Sequence, residues 1–116
     1  MRLFEIEGKE LLHCFDNSWR LMTSLIKNEP PKVQDEYRLV HAYVTNAEGR
    51  TFPHGWLELK GKAIDSSRSM EDPIVMDAKK YRDLMNAKNI VEYTPVEAMV
   101  KAAREGNLGP WDERFL

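Results

Sequence analysis

Hydrophobic residues in the first third of the chain recur with the spacing of an α-helix. Four large apolar side chains are separated by four, three and four positions, which places them on one helix face: Phe15, Trp19, Met22 and Ile26. Polar residues suited to a cap or first turn stand at 16–18, and Pro30-Pro31 cannot continue a helix. The pattern therefore predicts a helix over 15–27.

The residues before this helix give two conflicting patterns. LFEIE at 3–7 alternates like a short strand, whereas GKELLHC at 8–14 could open a helix. Both alternatives stay open for residues 1–13.

Strand patterns follow in the middle of the chain. YRLVHAYVT at 37–45 is rich in β-branched and aromatic residues and has apolar side chains on both faces, which is typical of a central strand. A turn at 46–49 leads to a second strand over 52–60. Lys60-Gly61 then turns the chain back into a third strand over 62–65.

Helix signals return after a polar loop at 66–73. Asp77 can cap a helix that runs to about Asn86, and we expect its apolar residues to face inward: Tyr81, Leu84 and Met85. A short strand is predicted over 89–93.

The last predicted helix has clear signals at both ends. Thr94-Pro95-Val96-Glu97 forms a capping box with proline at the first helical position, and Gly106 can end the helix. The tail beyond it is predicted as a loop or a short docking segment. The order α-β-β-β-α-β-α favours an α+β domain with a largely antiparallel sheet.

Length and composition favour one globular domain over 1–116. Apolar residues make up 42% and charged residues 31%, an ordinary mix for such a domain. The net charge is -2 and no end is basic, so bulk charge gives no support for binding nucleic acid. No stretch approaches the ~20 apolar residues of a membrane span, and the start lacks the apolar run of a signal peptide. We expect a cytoplasmic monomer or homodimer.

Cysteine usage narrows the chemistry. Cys14 is the single cysteine, which excludes a disulfide within the chain and a zinc site of four cysteines. No metal and no organic cofactor is implied. A free thiol is available for chemistry in a reducing compartment.

The predicted hairpin places a histidine and an aspartate on one face. With a two-residue turn at Lys60-Gly61, facing positions sum to 121, so Trp56 lies opposite Asp65. His54 becomes a diagonal neighbour of Asp65, whose carboxylate could accept the imidazole N–H.

Glu58 lies on the same face and is a rival orienting acid. A three-residue turn would put Asp65 on the other side. We assign that other side to the core, with Leu57, Leu59 and Ile64.

Cys14 stands at the predicted start of the first helix. Unpaired N–H groups there carry partial positive charge, which favours the reactive thiolate and could stabilise an oxyanion. Asn17 or a backbone amide near Cys14 is a candidate oxyanion donor. Trp56 is a candidate wall beside the imidazole or the substrate, although plain packing is an equal alternative. His41 is a rival base that we expect to be buried and structural.

Two segments resemble one enzyme superfamily. HGWLE, a glycine turn and AID, within 54–65, resemble the histidine-to-aspartate hairpin of transglutaminase-like, papain-like cysteine peptidases. CFDNSWRLM at 14–22 is similar to their nucleophile helix. The resemblance covers about residues 12–66 and is to a small core domain of bacterial or phage type. Gly55 stands where alanine is commoner in those families.

By matching position, the resemblance implies that Cys14 is the nucleophile, His54 the general base and Asp65 the orienting acid. It implies a single papain-like cysteine hydrolase domain over 1–116, with an N-terminal nucleophile helix packed on an antiparallel sheet and additional C-terminal helices. The implied reaction is hydrolysis of an amide or ester bond in a peptide or protein substrate through a thioester acyl-enzyme.

Other functions stay open at this point. The domain could be a transferase or transglutaminase that uses an amine acceptor, or a non-catalytic member of the fold that binds a peptide or protein. It could also be an unrelated small interaction domain. Nucleic-acid binding would need a clustered basic face that the linear sequence does not show. The position of the Cys14 sulfur relative to the histidines separates these alternatives.

Overall fold

The computed structural model describes the backbone over residues 7–116 and the side chains from residue 13 onward. Within these residues the chain is an α+β domain with a five-stranded antiparallel sheet and four helices. The helices are α1 (Glu7–Ile26), α2 (Pro31–Gln34), α3 (Ala78–Leu84) and α4 (Pro95–Glu105). The strands are β1 (Tyr37–Thr45), β2 (Thr51–Leu59), β3 (Lys62–Asp65), β4 (Ile74–Asp77) and β5 (Lys88–Tyr93). The possible strand LFEIE lies almost wholly outside the described residues.

The sheet is covered on both faces. Its strands lie in the order β4-β3-β2-β1-β5, so the apolar strand β1 is an interior strand with partners on both sides. Alternate residues of a strand point to opposite faces, which lets β1 contribute to two separate cores.

The first core joins the sheet to α1, α4 and the C-terminal tail. Its buried members are Leu21, Met22, Ile26, Tyr37, Leu39, Leu57, Tyr93, Ala98 and Trp111. The second core lies between the opposite face and α3. Its buried members are Val40, Ala42, Val44, Trp56, Ala63, Ala78 and Tyr81. The face that carries His54 and Asp65 is therefore itself mostly buried.

Several predicted elements agree with the structure. The predicted bounds of β1 and β3 are confirmed, and β2 is shifted by one residue. Asp77 caps α3 by accepting from the Lys80 N–H at 3.0 Å. The Thr94–Glu97 capping box is present, and Gly106 ends α4 with a left-handed backbone conformation.

α1 begins at Glu7, which agrees with the open alternative that GKELLHC at 8–14 starts a helix. Three other predictions about elements are wrong. The polar residues at 16–18, expected in the cap or first turn, lie inside α1. β4 pairs with β3 where no strand was predicted. Leu84 is 70% exposed instead of facing inward, because α3 is short and buries mainly Ala78 and Tyr81.

The hairpin turn has the length on which the predicted site depends. Leu57 faces Ile64, Glu58 faces Ala63 and Leu59 faces Lys62, which confirms facing positions that sum to 121. Lys60 and Gly61 both have positive φ, at 49° and 79°. Two consecutive positive φ angles match the right-handed twist of paired strands and fix their register.

The turn predicts a stabilising substitution. A positive φ is costly for lysine and well tolerated by asparagine, so we expect Lys60→Asn to raise the free energy of unfolding by about 0.5–1 kcal/mol. The exposed ion pair of Lys60 with Glu36, at 3.4 Å, contributes little to offset this gain. Urea denaturation measures the difference.

Lys62→Asn is the matched control, since Lys62 is an exposed strand residue and asparagine is depleted in strands. We expect that variant to be neutral or less stable. A Lys60→Asn protein no more stable than wild type would contradict the turn geometry.

Candidate active site

The side chains of Cys14 and His54 meet where α1 passes β2. A hydrogen bond joins the two side chains, and Cys14 exerts an electrostatic pull on the imidazole. Both groups are nearly excluded from solvent, with Cys14 1% and His54 6% exposed. A proton can therefore pass between sulfur and imidazole in a largely water-free setting.

The opposite edge of the imidazole is bound to Asp65. His54 Nε2 lies 3.0 Å from Asp65 Oδ2, across the β2–β3 hairpin. Because Nε2 is engaged by the carboxylate, Nδ1 is the ring nitrogen that remains for Cys14. The two partners thus lie on opposite sides of one ring, an arrangement that fixes its orientation.

Three donors hold the Asp65 carboxylate. Oδ2 accepts from the Tyr81 hydroxyl as well as from His54, and Oδ1 accepts from the Ser67 backbone N–H at 2.8 Å. Burial alone would raise the pKa of Asp65, but the hydrogen bond and charge of His54, with the bonds from Ser67 and Tyr81, hold that pKa well below its usual range. The carboxylate is therefore ionised at neutral pH.

The same network favours a charged imidazole. Burial opposes protonation of His54, but the charge of Cys14 and the hydrogen bonds to Asp65 and Cys14 outweigh it and raise the pKa of His54 to about 10. At neutral pH the ring is then an imidazolium between two groups that can carry negative charge.

Gly55 lets α1 approach the strand that carries His54. A Cβ atom at this position would lie 3.0 Å from Phe15 Cδ1, 3.2 Å from Ser18 Oγ and 3.3 Å from His41 Cδ2. These contacts are tight, so a side chain here would require the neighbouring groups to shift. The glycine therefore allows the turn of α1 that contains Cys14 to lie close to β2.

Cys14 does not lie at the start of its helix. α1 begins at Glu7, about two turns earlier, and amides at that depth in a helix bond to carbonyls four residues before them. The expectation that free N–H groups at the helix start stabilise the thiolate and an oxyanion is therefore wrong for this geometry. The group that contacts the Cys14 side chain is the His54 imidazole.

The two other candidate site residues have partners of their own. Asn17 lies one turn after Cys14, and its Nδ2 donates to the Ser66 carbonyl at 3.1 Å, which joins α1 to the end of β3. Trp56 is fully buried, with its ring centroid 5.8 Å from that of His54. The Trp56 side chain thus packs beside the imidazole, and it presents no surface to a substrate in this conformation.

The rival acid does not orient His54. Glu58 accepts from Trp56 Nε1 at 2.9 Å and from two nitrogens of Arg82, each at 2.8 Å. Its carboxylate is therefore engaged in a separate ion pair that connects β2 to α3.

The rival base His41 is buried on the other face of the sheet. It is surrounded by aromatic rings of α1, β5 and the tail: Phe15, Tyr93, Trp111 and Phe115. Among the residues that the structure describes, neither of its ring nitrogens has a hydrogen-bond partner. Burial, with a smaller effect of the His54 charge, lowers the pKa of His41 to about 3. His41 is thus a neutral packing residue, as expected.

Sequence reasoning missed the residues that hold Asp65. Tyr81 was expected only to face inward, and the Ser67 N–H was not considered. A cluster of aromatic and acidic residues gives no local signal of this contact, since Tyr81 reaches Asp65 only because β4 returns the chain alongside β3.

Comparisons with protein-family models, with curated proteins and with solved structures find no match to this chain. Among the described residues, no set of three or more His, Cys, Asp or Glu side chains is placed to hold a metal ion. In the same part of the chain, no helix has both the length and the apolar composition to cross a membrane.

His41 predicts how stability depends on pH. The pKa of His41 falls from an ordinary 6.5 to about 3 on folding, so the unfolded chain binds the extra proton as pH drops below about 6.5. Folding stability should therefore decrease between about pH 6.5 and pH 3, by up to ~1.4 kcal/mol per pH unit from this group. We expect His41→Leu to reduce that slope, as measured by urea denaturation from pH 7 to pH 4.

The control is His13→Leu, which removes an exposed histidine from α1. His54 and Asp65 also contribute to the pH dependence of folding stability, but both residues are present in wild type, His41→Leu and His13→Leu. An unchanged slope in His41→Leu would show that His41 does not stay neutral in the folded state.

Proposed function

We propose that the protein is a cysteine-dependent hydrolase of the papain-like type, with Cys14 as nucleophile, His54 as acid and base, and Asp65 as the orienting group. The observation that carries this proposal is the continuous contact from sulfur through imidazole to carboxylate. The packing of α1 against an antiparallel sheet further supports the resemblance to the nucleophile helix of that superfamily.

The reaction begins with attack of the Cys14 thiolate on the carbonyl carbon of an amide or ester. The imidazolium Nδ1–H of His54 then donates its proton to the leaving nitrogen or oxygen as the carbon–heteroatom bond breaks and a thioester remains. Water attacks the thioester while His54 accepts its proton. The acid product leaves, and the thiolate and imidazolium are restored. Asp65 stays ionised and keeps the ring in place throughout.

Asn17 is the best-placed side-chain donor for the oxyanion. It lies one turn from Cys14 on the same helix, and its amide nitrogen carries two protons. One proton is given to the Ser66 carbonyl, so the second can be given to a substrate oxygen. The Asn17 amide thus takes the role expected of the backbone amides at the start of α1, which lie about two turns before Cys14.

Substrate access requires part of the site to open. With Cys14 1% exposed, the carbonyl of a peptide cannot reach the sulfur in the conformation described here. The same enclosure favours a second candidate function, a non-catalytic member of the fold that binds a peptide or protein. The reactivity of Cys14 distinguishes the two functions.

Alkylation of Cys14 tests the ion pair directly. A free thiol with a pKa of about 8.5 is ionised in roughly one molecule in 300 at pH 6. If His54 holds the thiolate, the rate with iodoacetamide at pH 6 should stay within about tenfold of the rate at pH 9. Burial lowers both rates alike, so the ratio reports ionisation and not access. Intact mass follows the reaction, because Cys14 is the single cysteine.

His54→Gln should restore the steep pH dependence of a free thiol, whereas His13→Gln, the matched control on an exposed histidine, should behave like wild type. A wild-type rate that falls several hundredfold between pH 9 and pH 6 would exclude the proposed nucleophile and favour the binding function.

Asp65 should set the alkaline limit of activity. The pKa of His54 is raised in part by Asp65, so removing that charge lowers the pKa and the imidazolium is lost at a lower pH. We expect the alkaline limb of kcat/KM for p-nitrophenyl acetate to move to lower pH in Asp65→Asn, with a fall of at least ~10²-fold at the optimum. Stopped-flow absorbance over pH 5–11 gives both quantities.

Asp83→Asn is the control, since Asp83 is an exposed carboxylate that pairs with Lys79 in an i,i+4 contact on α3. Its profile should overlay that of wild type. If the pH profile of kcat/KM for Asp65→Asn also matches that of wild type, Asp65 does not stabilise the His54 imidazolium.

A further inference from the structure

Tyr81 and His54 bind the same oxygen of Asp65. Both donate to Oδ2, while Oδ1 is occupied by the Ser67 backbone N–H. A carboxylate with donors on both oxygens cannot rotate without breaking at least one bond. The Tyr81 bond is thus one of three that determine where Oδ2 lies relative to the imidazole.

Tyr81 is held in place independently of Asp65. Its buried ring packs 5.0 Å from the Trp56 ring, and Trp56 in turn packs against His54. The next residue, Arg82, anchors the same helix to β2 through its paired bonds with Glu58. Because α3 is fixed by these contacts, the hydroxyl positions the carboxylate rather than following it.

We propose that Tyr81 is a positioning residue that keeps Asp65 aimed at His54 during the part of the reaction in which the imidazole is neutral. This inference rests on the proposed function. His54 loses its positive charge when it protonates the leaving group, and the electrostatic attraction that holds the Asp65 carboxylate weakens at that moment. The Tyr81 hydrogen bond does not depend on that charge.

The hydroxyl is suited to this role because it stays protonated. Burial, and then the charge and hydrogen bond of Asp65, raise the pKa of Tyr81 far above the neutral range. Tyr81 therefore remains a donor at every pH at which the enzyme would work. Asp65 stays in register with Nε2 until His54 takes a proton back from water.

Tyr81→Phe tests the proposal, because it removes the hydroxyl and keeps the ring against Trp56. In ¹⁵N-histidine-labelled protein, the Nε2–H of His54 is observed directly by NMR, and its exchange with solvent reports how often the contact with Asp65 opens. Since a hydrogen bond to a charged group is among the stronger ones, we expect exchange to be about tenfold faster or more in Tyr81→Phe.

Tyr43→Phe is the matched control. The Tyr43 hydroxyl also donates an intramolecular hydrogen bond, to the Arg114 carbonyl in the tail, and it lies outside the site. Its loss should leave the His54 Nε2–H unchanged. If exchange in Tyr81→Phe equals that in wild type and in Tyr43→Phe, the positioning role is refuted.

Kinetics give a second readout with p-nitrophenyl acetate. A positioning residue that acts while His54 is neutral should lower kcat by about tenfold in Tyr81→Phe and leave KM near its wild-type value. An unchanged kcat would contradict the proposal. If wild-type Cys14 proves unreactive while Tyr81→Phe still speeds exchange at His54, the hydrolase function fails and the control of Asp65 by Tyr81 stands.

Discussion

The register of the β2–β3 hairpin is the constraint on which the site depends. Facing positions sum to 121, so His54 and Asp65 project from one face and meet at 3.0 Å. A slip of one residue would turn the Asp65 carboxylate toward the apolar core beside Leu57, where burying an unpaired charge costs several kcal/mol. The geometry of the two-residue turn and the cost of burying an unpaired charge therefore favour the same register of the hairpin.

Enclosure of the ionisable groups is possible because charges and hydrogen-bond donors alternate along the network. The sequence of partners runs from the Cys14 sulfur to the His54 imidazolium, the Asp65 carboxylate and the Tyr81 hydroxyl, so each negative group faces a donor. Removing one partner would leave its neighbour buried and unsatisfied, which costs more than an average hydrogen bond contributes. Because every charged group has a partner, the network can be buried, and because losing a partner is costly, the network is also rigid.

Local patterns predicted the parts of the fold that depend on nearest neighbours. β1, the hairpin and the capping box of α4 follow from alternation, turn residues and a Thr-Pro-x-Glu motif, and the pairing of His54 with Asp65 follows from the turn length. The start of α1 was left between two alternatives, because cap-forming residues at 16–18 suggest a late start but are tolerated inside a helix when they find other partners. Asn17 reaches the Ser66 carbonyl and Ser18 bonds back to the Phe15 carbonyl.

Strand β4 was missed because Ile74 and Val75 are 46% and 58% exposed on an edge strand, and its residues do not alternate between apolar and polar.

That missed strand explains why the outer half of the site was also missed. β4 leads directly into α3, and α3 presents two consecutive residues to two acids of the hairpin: Tyr81 to Asp65 and Arg82 to Glu58. Trp56 lies between the two contacts and donates to Glu58 while it packs on both His54 and Tyr81. A helix of seven residues buries little apolar surface, so the packing of Tyr81 on Trp56 and the paired bonds of Arg82 with Glu58 are what align it. The functional unit is therefore larger than three side chains and includes the element that orients the acid.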